Sequence, residues 1–220
     1  MKGLFVTGTD TGVGKTVAAA ALMHRLRGAG LLRYWKPIQT GIEIDDDTAT
    51  VRRLGACSED EIFDQGVRLP KPVSPHLAAE WAGQRIDLAE LRGLVDFDED
   101  GATWIVEGAG GLLVPINESQ TMADWIAYLA LPVLVVARSG LGTINHTLLT
   151  LEALQARRLR VAGVMMIGEP NADNRAAIEQ YGHAPVVAEM PFLAPLDPGL
   201  LAAWSVTHLD PQGRLLELPR

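Results

Sequence analysis

The stretch Gly8-Thr9-Asp10-Thr11-Gly12-Val13-Gly14-Lys15-Thr16 constrains this chain more than any other. It follows the apolar run Leu4-Phe5-Val6 and precedes Val17-Ala18-Ala19-Ala20-Ala21-Leu22-Met23, which reads as a helix. Strand, glycine turn, Gly-Lys-Thr and helix is the order a phosphate-binding loop requires. Glycines let backbone N–H groups turn inward with no Cβ in the way. Those donors and the positive end of the helix hold a polyphosphate. Lys15 then places its ammonium on the β- and γ-phosphates, and the Thr16 hydroxyl reaches Mg²⁺. The strict form puts its first glycine where this chain has Thr9; the glycine here stands one position earlier, at Gly8. The competing reading, a glycine-rich turn with an incidental Gly-Lys-Thr, is disfavoured by the correct strand and helix on either side.

Apolar strand-like runs and helix-like runs alternate through the rest of the chain. Strands are expected over 2–7, 31–35, 103–107, 132–137, 161–167 and 186–190. Helices are expected over 16–27, 45–54, 78–83, 87–95, 123–129, 143–156 and 173–181, with Asp87 as an N-cap. Residues 60–75 read as irregular, and residues 190–220 carry no clear pattern. Val133-Leu134-Val135-Val136 is unbroken, as in a strand buried on both faces. Strands spaced by helices imply right-handed βαβ units and a mostly parallel sheet. The expectation is an α/β chain, a three-layer α/β/α arrangement forming one domain over 1–220. Ligands of such sheets bind beyond the C-terminal strand ends, here after Thr7, Trp35, Glu107, Ala137 and Ile167.

A net charge of −8 argues against a nonspecific nucleic-acid binder. The single cysteine, Cys57, excludes a disulfide within the chain and, with no motif around it, reads as a packing residue. The N-terminus shows no basic segment followed by an apolar one, so no secretory signal is expected. The densest apolar run, 129–137, is interrupted by Pro132 and falls short of the roughly 20 residues that span a membrane. A cytoplasmic protein with no membrane partner is expected. No His/Cys cluster has zinc-ligand spacing, no Ser-His-Asp set can be read, and His146 reads as structural.

The strand ends carry the chemistry. Lys36-Pro37-Ile38-Gln39-Thr40-Gly41 follows the second strand, where a lysine either holds a transferring phosphoryl group or is a solvated surface charge. Asp45-Asp46-Asp47 opens the next helix; these carboxylates suit the helix dipole and are also candidate oxygen ligands for Mg²⁺. Glu107-Gly108-Ala109-Gly110-Gly111 puts a carboxylate at the end of a buried strand, where a Walker-B acid sits, with glycines allowing close backbone approach to a ligand. Leu141-Gly142-Thr143-Ile144-Asn145-His146 runs into a helix, either as an anion site suited to a carboxylate or as simple capping by Thr143. Ser74-Pro75-His76 either lines a pocket or starts a helix.

Together these blocks, in this order and spacing over residues 1–195, resemble the dethiobiotin synthetase family. The resemblance implies a P-loop NTPase fold and a reaction in which 7,8-diaminononanoate, CO₂ and ATP give dethiobiotin, ADP and phosphate in biotin biosynthesis. A carbamate forms on one amine, takes the γ-phosphoryl group, and is attacked by the second amine to close the ureido ring. Carried over by position, Lys15 holds the β- and γ-phosphates, while Thr16, Asp47 and Glu107 bind Mg²⁺. Thr11 and Lys36 neutralise the carbamate and the transferring phosphoryl group. The nucleotide also meets Gly12, Val13, Gly14, Val17, Gly108, Ala109 and Gly110, and its base meets Ile167, Gly168, Pro191, Phe192 and Leu193. Thr40 and Ser74 contact the substrate. The family is a homodimer, so Gly142, Thr143 and Asn145 hold the substrate carboxylate from the partner chain, near the interface. Choosing Asp47 among the three aspartates rests on the spacing to Val51 and Leu54.

The chain departs from the family at Ile167, where many members carry an Asn that reads adenine. Weak discrimination among nucleoside triphosphates is therefore expected. A related amidating synthetase would need a glutaminase domain, for which 220 residues leave no room. A partitioning ATPase of the MinD type would carry its signature lysine at position 9, and residues 212–220 are too short for a membrane-binding helix. Alanine at Lys15 or Lys36 is expected to abolish turnover with the fold intact.

Overall fold

The structure, a computed structural model, describes residues 2–95 and 101–215. Its centre is β1 (Lys2–Gly8), a strand hydrogen-bonded on both sides. The chain continues through α1 (Lys15–Leu26), β2 (Leu32–Trp35), β3 (Ile38–Thr40), α2 (Asp47–Leu54), β4 (Ile62–Phe63), β5 (Val67–Leu69), α3 (Pro75–Trp81) and α4 (Leu88–Gly93). After residue 101 follow β6 (Thr103–Gly111), α5 (Met122–Leu129), β7 (Val133–Arg138), α6 (Thr143–Ala156), β8 (Val161–Ile167), α7 (Ala172–Gly182), β9 (Val186–Met190) and α8 (Pro198–His208). Seven strands form one parallel sheet in the order β4-β2-β6-β1-β7-β8-β9.

Alternation along each strand divides the core into two layers. Leu4, Val6, Tyr34, Ile105, Leu134 and Val136 face α1, α2 and α8. Phe5, Trp35, Trp104, Val106, Val133 and Val135 face α3 to α7. Each fully buried side chain of this size stabilises the fold by about 1.5–3 kcal/mol over leaving it exposed. Ala18, Ala19, Ala20 and Ala21 are all fully buried, because α1 lies on the sheet and is covered outside by α2 and α8. A stretch apolar on every side, as Val17 to Met23 is, fits only such a site. Thus the C-terminal helix that the sequence left unread shields α1; it does not cover the cleft. Among the described residues no helix is long and apolar enough to cross a membrane. Residues 216–220 of the C-terminal segment considered for a membrane helix lie outside the described residues.

The order of strands positions the site. The chain passes from β1 to β2, and β6 later inserts between them. The loop after β1, the segment after β2 and the end of β6 therefore meet above one edge, with β7 on the other side of β1. This is the switch point at which such sheets bind ligands.

Three short strands correct the reading of 60–75 as irregular and of β2 as the last strand before α2. β3 and β5 form a separate parallel pair, Ile38 opposite Val67 and Thr40 opposite Leu69. β4 adds to the sheet edge beside β2. Runs of two or three residues are too short to show a period; they exist through pairing partners far along the chain. β6 also runs on to Gly111, past the expected end at Glu107, because Gly8 still pairs with Gly111. The helix expected over 78–83 begins at Pro75, with Ser74 in the N-cap position. Asp87 caps α4 as expected, accepting from the N–H groups of Ala89 and Glu90.

Candidate active site

The loop between β1 and α1 closes tightly. A Cβ on Gly8 would lie 2.8 Å from Val13 Cγ2 and 2.9 Å from the Asp10 carbonyl, so glycine is required there although it precedes the strict position. Thr9 donates its N–H to Val136 O at 2.9 Å, fastening the loop to β7. Gly14 is the N-cap of α1 at φ +98°, and no side chain caps the helix. The first turn of α1 is thereby left for an anion. Lys15 is buried, its Nζ 3.1 Å from the Asp10 carbonyl, and burial followed by the nearby Lys36 ammonium lowers its pKa to about 8.

At the mouth of this loop four side chains converge: Thr16 from α1, Lys36 from the segment after β2, Asp47 from α2 and Glu107 from β6. The Thr16 hydroxyl lies 2.9 Å from Asp47 Oδ1 and 3.0 Å from Glu107 Oε1. Lys36 Nζ lies 2.7 Å from Asp47 Oδ2 and 2.8 Å from Glu107 Oε1, and donates to Gly108 O at 3.0 Å. Burial alone would depress the Lys36 pKa, but Glu107 and Asp47 outweigh it and the pKa is raised. Burial opposes ionisation of Asp47 as well; Lys36 and the Thr16 hydroxyl prevail and hold its carboxyl below the usual range. Lys36 is therefore a buried, charged lysine and not a solvated one. Among the three aspartates, Asp46 caps α2 by accepting from the Ala49 N–H, and Asp47 points to Thr16. Two carboxylates and a hydroxyl, all hard oxygen donors beside a phosphate cradle, are a donor set that would fit a Mg²⁺ ion.

A cleft of about 640 Å³ opens over this cluster, lined by Thr11, Lys15, Thr16, Lys36, Thr40, Asp47, Ser74, Glu107, Ala109 and Gly110. The β3–β5 pair holds Thr40 against it, and the Ser74 hydroxyl lies 3.1 Å from His76 Nδ1. A second cleft of about 590 Å³ on the other side of the loop is lined by Gly12, Val13, Gly14, Val17, Ile167, Gly168, Pro191, Phe192 and Leu193. Its lining is largely apolar, as suits the flat face of a base. Gly14 is tied to this side too: a Cβ there would come within 2.6 Å of Ile167 Cδ1.

Four expected residues sit elsewhere. Gly108 lies beneath the cleft, where a Cβ would meet Phe5 Cε1 at 2.9 Å; its open contribution is the carbonyl that accepts from Lys36. Gly142, Thr143 and Asn145 line neither cleft of their own chain. Gly142 is the N-cap of α6, and the Thr143 hydroxyl donates back to Arg138 O, so Thr143 does not cap the helix by its side chain. His146 is exposed on α6 and is not a core histidine. Cys57 lies after α2, outside any helix, and burial first, then Glu61, pushes its thiol up to about 11, as befits an inert packing residue.

The structure adds residues the sequence did not single out. The Tyr34 hydroxyl donates to Glu107 Oε2 at 2.8 Å, and burial, then the Glu107 charge, keep the phenol protonated. Tyr34 read only as strand core, and only its pairing with β6 shows what its tip reaches. Arg138 ends β7 and donates to Thr11 O at 3.3 Å, 3.6 Å from Asp10 Oδ2. The strand-end rule points to it. Gln39, buried in the cleft lining, donates to Asp45 O at 3.0 Å.

Comparison with known proteins agrees with this geometry. An AAA domain family model matches residues 2–199. The ATP-dependent dethiobiotin synthetase BioD of Rhodopseudomonas palustris is 42% identical, over 98% of this chain and 98% of that protein. That of Paramagnetospirillum magneticum is 50% identical, over 86% and 88%. The biotin biosynthesis bifunctional protein BioCD of Bordetella avium is 47% identical over 93% of this chain, which spans 42% of that longer protein. Among solved structures, the MinC:MinD cell division protein complex of Aquifex aeolicus is similar with a TM-score of 0.57 and 13% identity, over 100% of this chain and 97% of that one. A ParA family ATPase from Chlorobium tepidum TLS matches with a TM-score of 0.52 and 10% identity, over 93% and 98%. At such identities these two likenesses concern the fold alone: a phosphate-loop ATPase fold. With full-length relatives at 42% and 50% identity, the chain belongs to the family of ATP-dependent dethiobiotin synthetases.

Proposed function

We propose that the chain catalyses the reaction for which its relatives are named, forming dethiobiotin from 7,8-diaminononanoate, CO₂ and ATP with release of ADP and phosphate. The observation that carries this reading is the convergence of Thr16, Lys36, Asp47 and Glu107 at the mouth of the phosphate loop, where the cleft continues to Thr40 and Ser74. One substrate amine takes up CO₂ as a carbamate, whose oxygen attacks the γ-phosphorus and displaces ADP. The second amine then attacks the carbonyl carbon, expels phosphate and closes the ring. No enzyme nucleophile takes part, so the side chains act by positioning and charge neutralisation. Backbone N–H groups of 12–17 and Lys15 hold the triphosphate. Lys36 and Thr11 face the carbamate and the transferring phosphoryl oxygens. Thr16, Asp47 and Glu107 would hold a Mg²⁺ ion, which would supply positive charge to offset that developing on the phosphates.

Phosphate release measured with ATP and Mg²⁺ tests the reading. It is expected only when diamine and bicarbonate are both present; steady release with neither would point to a switch ATPase of the kind its structural neighbours resemble.

Supporting a homodimer, the start of α6 exposes Gly142 and Asn145 beside a fully exposed Leu141, with Leu149 exposed further along the helix, while Thr143 between them is buried. A second copy packed there would bring these donors to the substrate carboxylate. A monomeric mass at full turnover would remove this part of the reading.

The base cleft bears on nucleotide choice. Ile167 offers no side-chain hydrogen bond to a base edge, and a largely apolar cleft discriminates weakly. ATP, CTP and GTP are expected to support turnover with kcat/KM values within about two orders of magnitude. A far larger preference for ATP, in side-by-side assays, would end the idea.

A further inference from the structure

We propose that Tyr34 is a positioning residue for Glu107, its phenol fixing the orientation in which that carboxylate presents Oε1 to a metal ion and the phosphates. The inference rests on the reading of Glu107 as a metal ligand. Tyr34 pairs with Ile105 across the β2–β6 ladder, and Glu107 lies two residues further on the same face of β6. Both Tyr34 and Ile105 pack in the layer under α1, while the next residue, Trp35, turns to the opposite layer. The tyrosine ring thus fills apolar space and delivers one O–H at its tip, toward the strand end. Tyr34 and Glu107 are both fully buried.

The two oxygens of Glu107 are divided between separate tasks. Oε1 meets Thr16 at 3.0 Å and Lys36 at 2.8 Å, on the cleft side; Oε2 meets Tyr34 at 2.8 Å, on the core side. Pinning Oε2 removes the carboxylate's freedom to rotate away. A phenol is the suitable donor, since it satisfies the buried oxygen without neutralising the charge a cation needs. Hydrogen-bonding partners behind a ligand commonly set metal affinity in this way.

Tyr34→Phe keeps the ring and its packing and deletes only the hydroxyl. Mn²⁺ binding, followed by electron paramagnetic resonance with a non-hydrolysable ATP analogue, is expected to weaken about 10–100-fold. Nucleotide affinity without metal should stay near that of the parent, and the concentration of Mg²⁺ needed for half-maximal turnover should rise more than kcat falls. In a Glu107→Gln background, Tyr34→Phe should cause no further loss of Mn²⁺ affinity. Parent-like Mn²⁺ affinity in Tyr34→Phe, or an equal loss in both backgrounds, overturns the proposal. Glu107→Gln with unchanged Mn²⁺ affinity overturns the metal reading of Glu107 itself, and the proposal with it.

Discussion

Lys36→Ala is expected to lower kcat about a thousandfold and to destabilise the folded chain, whereas Lys15→Ala costs similar activity with little change in melting temperature. Both lysines face the phosphate path, but their surroundings differ. Lys15 meets a backbone carbonyl at 3.1 Å, and removing it strands no charge. Lys36 is the cationic partner of a fully buried Glu107. Deleting one member of a buried pair leaves an uncompensated charge and typically costs about 3–5 kcal/mol. For a chain of 220 residues this corresponds to a fall in melting temperature on the order of 10 °C. The sequence alone suggested that either variant keeps its fold intact; the structure revises that for Lys36. Thermal melts beside single-turnover rates check the asymmetry. Equal melting temperatures for the two variants, or parent-like rates in either, would count against these roles.

Glu107→Gln carries the second large effect. The Mg²⁺ concentration for half-maximal turnover is expected to rise at least about tenfold. Glutamine fills the same volume but offers one acceptor where three donors converge: Thr16, Lys36 and Tyr34. Its amide nitrogen must then face one of those donors, and an unmatched buried group costs about 1–3 kcal/mol. A lower melting temperature should therefore accompany the shifted Mg²⁺ titration. An unchanged titration would remove Glu107 from the ligand set.

Much of the site was legible because its residues are announced by neighbours in the chain. Gly8 to Thr16 reads from a local strand–turn–helix pattern, and Glu107 reads as a carboxylate ending an apolar run. Lys36 could be suspected but not weighed, since a lysine after a strand is as often solvated. Its role depends on Asp47 and Glu107, which approach it from other elements. The pair β3–β5 was invisible for the same reason: three residues carry no period, and their hydrogen bonds go to a segment nearly thirty positions away.

By itself the sequence determined the α/β alternation, the phosphate loop and the inventory of charged side chains at the strand ends. These follow from local periodicity and from glycine placement, which need no knowledge of distant segments. Tertiary structure alone decided that β6 enters between β2 and β1, and hence that Lys36, Glu107 and Thr16 share one point. It also decided that Asp46 caps a helix while Asp47 faces the loop, and that the tip of Tyr34 touches a carboxylate. Strand order and register are set by which apolar faces can be buried together, a property of the whole chain that no single stretch of it contains.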